Sequence, residues 1–232
     1  MKIFAHISWL FATIIIFASL TLMILIYHFL PRPMAPKISA WIIRLTTFYT
    51  VAIVGEEHPD TQMFLLNHQS DLDIGIMETI SKKDLAWVAK KELFDMPFFG
   101  LALKLPEDIA VIRESKISLI KLLKDAKDRI DKGRVITMFP EGTRSTNDKM
   151  LPFKNGAKII VDKYNLRVQP VVLMQTSKYY NIKKLYYKPG RIKVIFMDSF
   201  IPDKENENWL KDLRIKMQKV YNDELANNPS NR

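Results

Sequence analysis

Met63-Phe64-Leu65-Leu66-Asn67-His68-Gln69-Ser70-Asp71-Leu72-Asp73 is the stretch on which the fold is decided. Four consecutive apolar residues lead into a histidine, and a carboxylate follows that histidine five residues later. A short apolar run bounded by polar residues reads as a strand, Met63–Leu66, and Ser70 then starts a helix that runs to Ile80. That strand-to-helix turn places His68 at the tip of a sheet and lets Asp73 fold back onto one imidazole nitrogen. The other nitrogen is then an acceptor for a hydroxyl proton. A base and its orienter are two parts of a triad. No nucleophile stands nearby, so that role passes to a hydroxyl of the substrate. A second reading of the same carboxylate is structural: Ser70-x-x-Asp73 is close to a capping box, in which the acid only satisfies a helix N-terminus.

Outward from there, strands and helices alternate. Leu85–Ala89, Ala110–Ile112, Val135–Phe139, Val168–Met174 and Ile192–Met197 read as strands. Ser115–Lys132 reads as a helix with Ile117, Ile120, Leu123 and Ile130 on one face, capped by Ser115 and ended by Gly133. Asn155–Tyr164 is a further helix. Trp209–Leu225 is an amphipathic one, with Trp209, Leu213, Met217, Val220 and Tyr221 on one side. The alternation predicts an α/β domain: a largely parallel or mixed sheet with helices on both faces. This domain is placed at residues 56–226, with a disordered tail at 227–232.

Residues 1–55 read as a membrane anchor. Ile7–Leu30 is a run of 24 mainly apolar residues without Lys, Arg, Asp or Glu, where about 20 suffice for a helix to cross the hydrocarbon core. The apolar core of a signal peptide is shorter, about 7–15 residues, so a retained spanning helix is expected. Lys2 precedes the run, and Arg32, Lys37 and Arg44 follow it. That asymmetry puts the following domain on the cytoplasmic face, at the inner membrane in a bacterium. Ile38–Val54 is apolar but broken by Arg44, Thr46, Thr47 and Thr50, and reads as an interfacial helix packed on the first. A spanning hairpin and a monotopic anchor both remain open.

Composition excludes more than it selects. The chain of 232 residues carries a net charge of +10 and no cysteine, which removes a thiol nucleophile, a cysteine-based zinc site and disulfides. Its seven glycines form no dinucleotide fingerprint, P-loop or serine elbow. The basic balance suits anionic lipid, phosphate-bearing substrates, an acidic carrier protein or nucleic acid alike.

The second informative stretch is Phe139-Pro140-Glu141-Gly142-Thr143-Arg144-Ser145, directly after a strand. Ligands of α/β sheets bind at the carboxyl ends of strands, so His68 and Arg144 are expected in one site. Gly142 permits close backbone approach, N–H groups of the Gly142-Thr143 turn can face an anion, and the Arg144 fork suits phosphate. An ordinary turn with a solvated arginine is the bland alternative.

Together, Asn67-His68-x-x-x-x-Asp73 and Phe139 to Ser145 resemble the glycerolipid acyltransferase family, and within it the bacterial 1-acyl-sn-glycerol-3-phosphate acyltransferases. The resemblance runs from about Leu65 to Val172. Pro97-Phe98-Phe99-Gly100 leading to Val111-Ile112-Arg113 is similar to the family's second block, Pro152 to Ala157 to its continuation after the Arg loop, and Val168 to Val172 to its fourth block. Ile112 stands where members often have Asp, and Pro170 stands alone where two prolines are usual. The resemblance implies that His68 deprotonates the acceptor hydroxyl, which attacks a thioester of coenzyme A or acyl carrier protein. Asp73 would orient His68. Arg144 and Arg113 would hold the acceptor phosphate, with Gly142 and Thr143 beside it and Glu141 orienting the acceptor or Arg144. The acceptor implied is lysophosphatidate, with glycerol-3-phosphate or another lysophospholipid as runner-up. Membrane lipids are partners, nucleic acid is not, and neither cofactor nor metal is required.

Two other readings compete. A metal-dependent phosphate-ester hydrolase would gather Asp71, Asp73 and Glu141 around a divalent ion. A non-catalytic basic module would use Tyr179, Tyr180, Lys183, Lys184, Tyr186, Tyr187 and Lys188, a run that equally suits a surface hairpin.

Overall fold

The computed structural model describes residues 2–27, 29–30, 34–112, 116–145, 147–181 and 184–227. In chain order the elements are α1 (Lys2–Ile26), α2 (Met34–Thr46), β1 (Tyr49–Val54), β2 (Met63–Leu66), α3 (Leu72–Ile80), β3 (Leu85–Lys90), α4 (Lys91–Phe94), α5 (Leu101–Lys104) and β4 (Ile109–Val111). There follow α6 (Lys116–Asp131), β5 (Val135–Met138), α7 (Gly156–Tyr164), β6 (Val168–Leu173), β7 (Tyr180–Asn181), β8 (Tyr186–Tyr187), β9 (Gly190–Phe196) and α8 (Trp209–Asn227).

Among the described residues, seven strands form one sheet in the order β1-β9-β6-β2-β5-β3-β4. β6, β2, β5, β3 and β4 run parallel, whereas β9 is antiparallel to β6 and carries β1 parallel to itself. The unbroken apolar run of β2 follows from its central place. Met63 and Leu65 face one layer, with Leu122 and Ala126 of α6, Ile160 of α7 and Leu213 of α8. Phe64 and Leu66 face the other, with Ala12 of α1, Ile43 of α2 and Ile76 of α3. A strand buried on both faces has no reason to alternate apolar with polar residues.

The N-terminal expectations need correction. Ile38–Val54 is not one helix: α2 ends at Thr46 and Tyr49–Val54 pairs with β9 as an edge strand. Three threonines near the break and β-branched Val51, Ile53 and Val54 favour extended backbone there. Among the described residues no helix is long and apolar enough to cross a membrane. One side of α1 lies against protein. Ala12 of α1 is fully buried, Thr13 Oγ1 lies 3.3 Å from the Tyr180 hydroxyl, and Ser39 of α2 donates to the Ser19 carbonyl at 2.9 Å. The Tyr-Lys run does form a hairpin, β7 with β8, and it seats α1. Arg32, Arg113, Ser115, Lys183 and residues 228–232 of the expected tail lie outside the described residues.

Candidate active site

β2 and β5 are adjacent and parallel, with Leu65 opposite Met138. Their carboxyl-end loops therefore converge, as expected for an α/β sheet. Two hydrogen bonds tie them together, and a third braces the loop after β5. The Ser145 N–H donates to the His68 carbonyl at 2.8 Å. Glu141 Oε1 accepts from the His68 N–H at 2.9 Å, and Oε2 from the Leu151 N–H at 2.6 Å. Burial pushes the Glu141 carboxyl up, against the pull of those two amides. This carboxylate fastens the backbone of His68 and of Leu151. Two converging loops bring more N–H groups than their own carbonyls can serve, and a buried carboxylate satisfies them.

His68 Nδ1 lies 2.8 Å from Asp73 Oδ2. With Nδ1 as donor, Nε2 is left as the acceptor. The same Oδ2 accepts from the backbone N–H groups of Gln69 and Ser70, at 2.8 and 2.9 Å. One oxygen thus makes both the imidazole contact that a catalytic pair needs and the backbone contacts that hold the turn. Ser70 Oγ meanwhile accepts from the Leu72 N–H at 3.3 Å and donates to the Tyr180 carbonyl at 2.8 Å. Asp73 is fully buried, and its second oxygen, Oδ1, is buried without a hydrogen-bond partner.

Three features of the site were not singled out by the sequence. The Phe139 ring stacks on the His68 imidazole, centroids 3.8 Å apart and planes 12° from parallel. Trp87 of β3 stacks in turn on Phe139, and its indole N–H donates to Glu78 Oε1 at 2.8 Å. Asn67 bridges to β6 in both directions, its side-chain N–H to the Leu173 carbonyl at 2.9 Å and its Oδ1 from the Leu173 N–H at 2.7 Å. Phe139 and Asn67 stood inside the quoted motifs; Trp87 and Glu78 carried no local signal.

Arg144 forms an ion pair with Asp71 at the site's rim, both side chains partly exposed. The Gly142 N–H donates to the Phe139 carbonyl at 2.9 Å. It closes the turn, and Gly142 has the positive φ of 67° that such a turn requires. Thr143 is exposed beside it. Of the second block, Gly100 is pinned between carbonyls: an added Cβ would sit 2.2 Å from the Phe94 oxygen. Ile112 donates its N–H to Ser118 Oγ at 2.9 Å.

The hydrolase reading loses its ligand set. Asp73 is committed to His68 and two amides, Glu141 to two amides, and Asp71 to Arg144. Among the described residues no three His, Cys, Asp or Glu side chains are grouped to hold a metal.

Comparison with known proteins follows the same line. A family model described as Acyltransferase matches residues 51–174. The 1-acyl-sn-glycerol-3-phosphate acyltransferase of Helicobacter pylori is 40% identical over 169 residues, covering 72% of this chain and 71% of that one. A protein of the same name from Chlamydomonas reinhardtii is 29% identical over 201 residues, covering 84% of this chain and 60% of its own length. The crystal structure of the 1-acyl-sn-glycerophosphate acyltransferase PlsC of Thermotoga maritima superposes with a TM-score of 0.74 at 20% identity, covering 97% of this chain and 96% of that one.

Proposed function

We propose, since this chain belongs to the acyltransferase family, that it is a 1-acyl-sn-glycerol-3-phosphate acyltransferase making phosphatidic acid. The observation that carries the mechanism is the His68–Asp73 pair, 2.8 Å apart, on a loop bonded directly to the one that bears Arg144. His68 Nε2 takes the proton of the acceptor hydroxyl as its oxygen attacks the thioester carbonyl. An oxygen–carbon bond forms, the carbon–sulfur bond breaks, and the proton passes to the departing thiolate. Asp73 holds the tautomer and stabilises the transient imidazolium, a general-base arrangement worth roughly 10²–10⁴-fold. Arg144 exchanges Asp71 for the acceptor phosphate, so that the hydroxyl is presented rather than met by collision. Arg113 supplies a second positive charge, and Gly142 and Thr143 shape the turn that leads to Arg144. Acyl-CoA and acyl carrier protein are both suitable donors, and no cofactor enters the reaction.

The same proposal places the enzyme on a membrane surface, with the catalytic domain on the cytoplasmic side. Leu10, Phe11, Ile14 and Phe17 of α1 and Trp41 and Leu45 of α2 are exposed, as is Phe48 just beyond α2. Apolar side chains of this size on adjoining helices suit insertion into one leaflet. Substrate and product both partition there.

The test is thiol release by purified protein, crossing lysophosphatidate, glycerol-3-phosphate and a zwitterionic lysophospholipid with both donors. Release that depends on lysophosphatidate is expected. Equal release with no acceptor removes the reading, and preference for glycerol-3-phosphate moves it to the earlier acylation.

A further inference from the structure

Asp73 secures one edge of the base through Nδ1, a single hydrogen bond about which the imidazole can still swing. The Phe139 ring removes that freedom by lying flat on the imidazole, 3.8 Å away. Trp87 supports Phe139 at 5.4 Å and 26°, and Glu78 holds the Trp87 indole N–H. Glu78 and Asp73 both belong to α3. One helix therefore anchors both ends of a three-ring stack that begins in β3, passes the end of β5 and finishes at the end of β2. Glu78 and Trp87 are buried and His68 and Phe139 only partly exposed, so the stack is an ordered part of the interior.

Resting on the reading of His68 as general base, we propose that Phe139 is a positioning residue for it. Its ring keeps the imidazole plane turned so that Nε2 faces the acceptor hydroxyl. Its electron-rich face favours the imidazolium that forms as the proton is taken up. Trp87 and Glu78 serve this by fixing Phe139 in place.

The test compares Phe139→Leu, which keeps apolar bulk but has no π face, with Phe139→Tyr, which keeps the ring, in full-length protein in lipid–detergent micelles. Phe139→Leu is expected to melt close to wild type, to lose about tenfold in kcat, and to keep its acceptor KM within about twofold. Phe139→Tyr is expected to recover most of that loss. With labelled histidine, the ring protons of His68, assigned by their disappearance in His68→Ala, should resonate upfield over the phenyl face and return to ordinary positions in Phe139→Leu. Wild-type kcat in Phe139→Leu, or a loss carried by KM instead, overturns the proposal. So do unshifted His68 protons in the wild-type protein, which decide the matter if Phe139→Leu does not fold. Activity retained in His68→Ala is a separate failure, since it removes the general base itself.

Discussion

His68 and Asp73 meet through one oxygen: Asp73 Oδ2 accepts from Nδ1 of the imidazole and, at the same time, from the backbone of Gln69 and Ser70. The turn that presents the base is thus held by the atom that orients it. Asp73→Asn can keep acceptor contacts to the two amides only by turning its oxygen toward them, and its NH₂ then competes at the imidazole. The protein should fold with a loss of about 1 kcal/mol, while turnover falls by roughly three to four orders of magnitude, as tautomer errors do. Ser70→Ala loses its bonds to Leu72 and Tyr180 and should lower stability without a matching loss of rate. Melting curves and acyl-transfer rates of both variants, with His68→Ala as reference, check this; near-normal turnover in folded Asp73→Asn would remove the dyad.

Arg144 is the expected phosphate clamp, and its guanidinium is paired with Asp71. Arg144→Lys keeps the charge and loses the fork, so kcat/KM for a phosphorylated acceptor should drop by roughly 10- to 100-fold. Asp71→Asn frees the fork and takes a negative charge from the phosphate's path. Acceptor KM should then fall by about 2- to 5-fold at low salt and converge on wild type at high salt. Steady-state kinetics across ionic strength measure both.

Asp108 offers a pH-dependent stability. Its side chain is 5% exposed and accepts the Trp87 backbone N–H at 3.0 Å. Burial raises the carboxyl to about 8, against the pull of that N–H and of Arg134. The folded state therefore holds a proton that the unfolded chain releases near pH 4. Its stability contribution is full below that pH and is lost as pH rises through about 8. Asp108→Asn keeps an acceptor for Trp87 and has no proton to lose. It should melt above wild type at pH 8.5, with the gap narrowing toward pH 5.5, in thermal scans across that range.

Membrane binding should follow the exposed side of α1. Phe11, Ile14 and Phe17 are 55–57% exposed, so replacing all three with serine removes apolar surface without opening the core. The variant should keep its fold and its turnover on detergent-dispersed acceptor, and float with anionic vesicles much less than wild type. Undiminished flotation would assign the grip to another surface.

Much of this protein was legible in the order of its residues. The run Met63–Leu66 became a central strand with the expected bounds, because a strand covered on both faces announces itself by composition alone. The spacing of His68 and Asp73 was enough to pair them, since five residues across a tight turn leave a side chain few other places to go. Elsewhere local signal was ambiguous. An apolar stretch such as Ile38–Val54 suits a lipid-facing helix and a strand equally, and only the open edge of β9 made Tyr49–Val54 a strand. The carboxylate of Glu141 was visible as part of a motif, yet its engagement with His68 and Leu151 depends on two loops brought together by neighbouring strands. Phe139 stacks on Trp87, and so is linked to Glu78, from a segment far along the chain. Contacts of that kind are set by strand order and register, which local propensity does not encode, so the residue types that form the base were readable in sequence while the surroundings that aim it were decided by the tertiary fold.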